Sequence, residues 1–80
     1  MVSPPKDAKT VLQEWSQSKK NVHLTYVVVK ESGPPHRPIF TIGLRINGYD
    51  EVLGKSNTKK AAEQKAAEVF IKKHNIKAED

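Results

Sequence analysis

Phe40-Thr41-Ile42-Gly43-Leu44-Arg45-Ile46-Asn47-Gly48 is the stretch on which the fold turns. Phe40, Ile42, Leu44 and Ile46 fall on one face and Thr41, Gly43 and Arg45 on the other, the two-residue period of a strand with one buried side. Asn47-Gly48 accepts the positive φ angles of a type I′ turn, so the chain is expected to double back into a third strand over about Tyr49 to Gly54. Working upstream, β-branched and aromatic residues from Leu24 to Val29 predict the first strand, and residues 31–38 (Glu31-Ser32-Gly33-Pro34-Pro35-His36-Arg37-Pro38) a loop. Before it, Asp7 is a helix cap, and Ala8, Val11, Leu12 and Trp15 make an apolar stripe on a first helix over about residues 8–18. Downstream, Ser56-Asn57-Thr58 offers caps for a second helix running to about Lys73, striped by Ala62, Ala66, Ala67 and Phe70. The expected fold is α+β, in the order α-β-β-β-α. The two apolar helix stripes are the available cover for the sheet, so both helices should pack on one face of a three-stranded antiparallel sheet.

Eighty residues leave room for one modest core that hides about 60% of the unfolded surface, so function must lie on the outside. The chain has no cysteine, and His23, His36 and His74 are too scattered for close ligand spacing, so neither a metal nor a disulfide is expected. A cytoplasmic setting fits this composition, and Val27-Val28-Val29 is far too short an apolar run to cross a bilayer. Residues 1–6 read as a leader or linker, 7–75 as the domain and 76–80 as a polar tail. Fourteen Lys and Arg against nine Asp and Glu give a net charge of +5, which favours an anionic partner.

Where that charge lies is more telling. Lys59 and Lys60 occupy the first turn of the second helix, beside the positive end of the helix dipole, at a cost of about 0.3–1 kcal/mol per charge. Facing phosphate, the same placement is favourable, because free N–H groups, dipole and ammonium groups attract one anion together; Lys55 adds to the field. Thr10, Gln13, Glu14 and Gln17 form a polar, non-basic stripe on the first helix. Such a stripe suits RNA, since a carboxylate accepts from a ribose 2′-hydroxyl and the amides both donate and accept. Read alone, it is equally an ordinary solvated helix face. The prolines stiffen the loop that carries His36 and Arg37, which makes it either a probe for a groove or a plain rigid connector.

Leu12-Gln13-Glu14, Thr25-Tyr26, Ser32-Gly33-Pro34-Pro35-His36, Phe40, Leu53-Gly54 and Thr58-Lys59-Lys60 with Ala62, Ala66 and Ala67 together resemble the double-stranded-RNA-binding domain. The Leu-Gln-Glu-Trp and Ser-Gly-Pro-Pro-His stretches look most like the domain at the C-terminus of bacterial ribonuclease III. The resemblance implies that helix 1 enters one RNA minor groove through Thr10, Gln13, Glu14 and Gln17, and the first hairpin loop the next through Pro35 and His36. Lys55, Lys59 and Lys60 would hold the phosphates between them, over about 16 base pairs read by shape. The sequence departs from the family at Ser56, where a glycine is frequent, and at Glu63, where a basic residue is frequent; Lys65 is the nearest substitute.

An enzyme is not expected in this chain, because no acidic cluster, nucleophile–base set or phosphate-binding glycine loop appears. Asp50 and Glu51, adjacent in the expected third strand, would point to opposite faces. The resemblance places catalysis in an upstream, magnesium-dependent nuclease domain of a ribonuclease III parent, through which any homodimer would form. For the chain itself it implies double-stranded RNA as partner, with no cofactor, membrane or small-molecule substrate. The alternative is a protein-interaction or dimerisation module of the same fold, using Val27, Val29 and Ile39 on the open sheet face.

Overall fold

The computed structural model describes residues 7–76, with α1 at Ala8–Gln17, β1 at Leu24–Ser32, β2 at Ile39–Ile46, β3 at Val52–Ser56 and α2 at Lys59–Lys73. The leader at 1–6 and residues 77–80 lie outside the described residues. The strands form one antiparallel sheet in the order β1-β2-β3. Leu12 of α1, Leu44 and Ile46 of β2, Val52 of β3, and Ala66, Ala67 and Phe70 of α2 make one buried cluster, so both helices sit on the same side of the sheet, as expected.

Small residues set how closely α2 approaches. A Cβ on Gly54 would stand 2.5 Å from the Ala62 carbonyl oxygen and 2.8 Å from the Ala66 Cα, and it would also meet the Ala66 nitrogen. Helix backbone therefore lies directly on strand backbone, and Ala62 and Ala66, both fully buried, are the helix side of that contact. Further along α2 the spacing is filled by Phe70, also fully buried, whose ring centroid is 5.7 Å from that of Trp15 and 5.3 Å from that of Tyr49.

Three boundaries differ from the sequence reading. β1 continues to Ser32 and leaves only residues 33–38 as loop, because a bulge between Val28 and Lys30 resets its register on β2. β3 begins at Val52, not Tyr49. Gly48 takes a φ of 87° while Asn47 does not take a positive φ, so the type I′ turn is not formed. The Asn47 side chain instead bridges back to the α1–β1 connection: its Oδ1 accepts from the His23 N–H at 2.6 Å and its Nδ2 donates to the Asn21 carbonyl. Tyr49 then leaves the sheet for the aromatic cluster. Asp50 and Glu51 lie in the connection before β3, where Glu51 Oε2 accepts from Arg45 Nε at 2.7 Å.

The alternation in β2 holds on the helix side, where Ile42, Leu44 and Ile46 are buried, but Thr41 and Gly43 on the opposite side are buried too. Val29 and Glu51 crowd over Gly43 there. Ile76, read as the start of a polar tail, packs against the core. It completes a helix stop in which Asn75 adopts φ 53°, the Asn75 N–H donates to the Lys72 carbonyl and the Ile76 N–H donates to the Ile71 carbonyl at 3.0 Å.

Candidate nucleic-acid interface

Thr58 caps α2. Its extended backbone lets Oγ1 accept from the Ala61 N–H at 3.1 Å, and its carbonyl accepts from the Ala62 N–H. The first turn holds no acidic residue, and Lys59 and Lys60 are both exposed there. Lys59 Nζ lies 5.8 Å from the centre of the Phe40 ring. Lys55, also exposed, pairs in register with Thr41, whose side faces away from the helices. It therefore stands on the other side of the β3–α2 turn from the helical lysines. Ser56, the family's glycine position, is half-buried opposite Phe40.

Thr10, Gln13, Glu14 and Gln17 all project from the exposed side of α1, opposite the buried Val11, Leu12 and Ser16. Lys9, Thr10, Gln13, Glu14 and Tyr26 line a cleft of about 380 Å³. At the head of the helix the Asp7 carboxylate accepts from the Thr10 N–H at 3.1 Å. Hydrogen bonds from the Thr10 side chain and backbone, in that order, hold the Asp7 carboxyl below its ordinary value. Tyr26 is half-buried beneath this end, and its hydroxyl has no hydrogen-bond partner among the described residues. Burial, with Glu63 as the second cause, pushes its pKa up to about 12.

Pro35 and His36 are exposed at the tip of the β1–β2 loop. The loop is braced at its base. Gly33 has a φ of 85° and so close an approach to the Arg37 carbonyl oxygen that a Cβ would lie 2.6 Å from it, while the Arg37 N–H donates to the Pro34 carbonyl at 2.9 Å.

Side chains at the start of α2 connect it to both other regions. Lys9 Nζ meets Glu63 Oε1 at 2.6 Å, the Lys9 N–H donates to Gln64 Oε1 at 3.2 Å, and Gln64 Nε2 donates to Asp7 Oδ2 at 3.0 Å, which ties the head of α1 to α2. On the other side, Asn57 Nδ2 donates to the Pro38 carbonyl at 3.0 Å, tying the β3–α2 turn to the base of the loop. Sequence reading did not single out Lys9 or Gln64, and offered Asn57 only as one of three cap candidates. Each acts on a partner far along the chain, and no local spacing signals such a pairing. Glu63, where the family often has a basic residue, is occupied with Lys9. Lys65 is exposed on α2.

Among the described residues no three His, Cys, Asp or Glu side chains group so as to hold a metal ion, and no helix is long and apolar enough to cross a membrane. Residues 8–74 match the family described as double-stranded RNA binding motif. The chain is 47% identical over 77 residues to the Ribonuclease 3 of Ehrlichia ruminantium (strain Gardel), a match covering 96% of this chain and 34% of that protein. It is 48% identical over 73 residues to the Ribonuclease 3 of Wolbachia pipientis subsp. Culex pipiens (strain wPip), covering 91% of this chain and 32% of the relative. For the Ribonuclease 3 of Ehrlichia canis (strain Jake) the figures are 50% over 68 residues, 85% and 30%. The chain thus spans about a third of the length of these curated relatives. With the family's motif matched from the first residue of α1 to the C-cap of α2, the chain belongs to the double-stranded RNA binding motif family.

Proposed function

We propose that this chain binds double-stranded RNA by shape, as the RNA-binding domain of a ribonuclease III that processes structured RNA. The observation that carries the reading is the pair of ties at the start of α2, one to the head of α1 and one to the base of the Pro-Pro-His loop. That order of elements, helix stripe then lysines then loop, corresponds to minor groove, phosphates, minor groove along an A-form duplex. Thr10, Gln13, Glu14 and Gln17 serve the first minor groove, where Glu14 accepts from 2′-hydroxyls and the two glutamines address sugars and base edges. Pro35 and His36 enter the second. Lys59 and Lys60, backed by the free N–H groups of the α2 N-terminus, hold phosphates from the helix side, and Lys55 holds them from the sheet side.

Phosphate attraction supplies affinity for any nucleic acid, and the choice of RNA falls to the groups that meet the 2′-hydroxyl. Titrating matched RNA and DNA duplexes tests this division: RNA should bind far more tightly, and equal affinities would end the proposal. A log–log salt slope on the order of −3 is expected for three to four neutralised phosphates, against a slope near zero if electrostatics plays no part. Hydrolysis is assigned to the parent, whose metal-dependent nuclease domain would bring its own magnesium and its own dimer contacts in the cytoplasm; sequencing the full gene product checks that assignment.

A protein-interaction role is favoured by one observation, the exposure of Val29 (50%), Leu53 (46%) and Ile39 (40%) around the open sheet face. Sedimentation equilibrium of the isolated chain separates the two: a concentration-dependent dimer abolished by Leu53→Lys, with RNA affinity untouched, would support it.

A further inference from the structure

We propose that Asn57 is a positioning residue that fixes the distance between the phosphate-binding lysines and the Pro35-His36 loop, and so sets the spacing of duplex that the domain accepts. The inference rests on the two-groove reading given above.

The β1–β2 loop is stiff within itself. Gly33 is pressed against the Arg37 carbonyl, Arg37 and Pro34 close a turn, and three prolines occupy residues 34, 35 and 38. A rigid loop on a hairpin end still swings as a body about its two strands. What limits that swing is contact with another element, and the hydrogen bond from Asn57 Nδ2 to the Pro38 carbonyl supplies it. Pro38 is the last loop residue before β2, so a bond to its carbonyl acts at the hinge. Asn57 is the residue immediately before the Thr58 cap and two before Lys59. Lys59 reaches the same strand start independently, with its Nζ 5.8 Å from the Phe40 ring centre. The phosphate contacts and the second minor-groove probe are thereby held as one rigid piece.

A-form and B-form duplexes differ in how far a minor groove lies from the neighbouring phosphate track, so a fixed spacing discriminates between them and a loose one does not. Without the clamp, RNA must order the loop as it binds, and affinity falls for those duplexes long enough to engage it.

The test compares Asn57→Ala with the native chain on two RNA duplexes, one of about 16 base pairs that spans both grooves and one of about 8 that cannot. Asn57→Ala should bind the long duplex about five- to tenfold more weakly, the fold-change equivalent to one lost hydrogen bond, and should bind the short duplex as the native chain does. In a background with both Pro35→Ala and His36→Ala the effect on the long duplex should vanish, because the loop then has no contact left to position. In the free protein, amide relaxation should show Gly33, His36 and Arg37 more mobile in Asn57→Ala while α2 is unchanged. Asn57→Ser, a shorter donor, provides a second variant should alanine disturb the Thr58 cap, and thermal unfolding monitors both. Equal weakening on both lengths, no weakening on either, or an effect that persists when Pro35 and His36 are both alanine would overturn the proposal. Failure of the two-groove reading looks different: the native chain itself would then gain nothing from the longer duplex.

Discussion

The two ends of α2 are built on opposite terms. At the C-terminal end the charges and the cap favour stability: Lys72 and Lys73 lie in the last turn, where they complement the dipole, Asn75 takes the left-handed cap, and Ile76 folds back on Ile71. Phe70 fills the space beneath, among Trp15, Tyr49 and His74. At the N-terminal end the cap is good but the charges are wrong for the dipole, since Lys59 and Lys60 occupy the first turn without an acidic neighbour in it. Under the proposed RNA-binding reading, the positive potential at the end where the dipole rule is broken serves phosphate. Stability and binding should therefore separate along this one helix.

The largest effect belongs to the C-terminal end. Phe70→Ala should cost about 3–5 kcal/mol of unfolding free energy in urea denaturation, because it removes a fully buried ring shared by α1, α2 and the β2–β3 connection. The contrast fails if the loss is below about 1 kcal/mol, within the range of ordinary surface changes. Lys59→Ala with Lys60→Ala should do the reverse: RNA affinity falls on the order of tenfold or more, the salt slope becomes shallower by roughly 2, and stability is unchanged or slightly raised. A drop in stability that accounts for the lost binding would make these lysines structural and erase the distinction between the two ends.

Smaller changes sharpen it. Thr58→Ala removes the cap from the N-terminal end and should cost about 1 kcal/mol, seen as a lower urea midpoint at unchanged slope. Lys72→Ala and Lys73→Ala should each cost about 0.3–1 kcal/mol at low salt, an effect that fades as salt rises, while the RNA salt slope stays put. If these two variants instead flatten the RNA slope, phosphate contact extends along the whole of α2.

What could be read from the chain follows the same division between local and distant causes. The Asp7 cap, both helix stripes and the inner face of β2 are short-range patterns, and the structure has them where they were expected, while Thr58 is the one of the three cap candidates Ser56, Asn57 and Thr58 that caps α2. The start of β3 was misjudged because Asn47-Gly48 is a strong local turn signal, yet the Asn47 amide is taken by Asn21 and His23, the latter 24 residues away. The exposed placement of Thr10, Gln13, Glu14, Gln17, Pro35, His36, Lys55, Lys59 and Lys60 was legible from helix period and turn composition. The ties that join these regions were not: Lys9 and Glu63 lie 54 residues apart and Asn57 and Pro38 19, so only the folded arrangement pairs them. Glu63 shows the difference most clearly, since as a single residue it is a missing positive charge and in place it is the partner of Lys9.

The smallest effect at neutral pH concerns Tyr26, which lies near Glu63 in the N-terminal half of the helix and whose hydroxyl is buried without a partner among the described residues. Burial first and Glu63 second raise its pKa from an ordinary 10.0 to about 12, so folding favours the neutral phenol. Its contribution is complete below pH 10 and is lost as pH rises through 12. Tyr26→Phe should leave stability at pH 7 unchanged or slightly higher, since it removes an unsatisfied buried hydroxyl and keeps the ring beneath Lys9 Nζ, 5.2 Å from the ring centre. It should also reduce the loss of stability above pH 10, and Glu63→Gln should move the Tyr26 absorbance titration downward by less than burial moves it upward. Phenolate absorbance followed alongside circular dichroism decides the matter. Ionisation of Tyr26 at its ordinary value in the folded chain, with Tyr26→Phe unfolding in alkali just as the native chain does, would show that the Lys9–Glu63 end of α2 is open to water. The ties between α1 and α2 would then be too loose to hold the two contact regions as one surface.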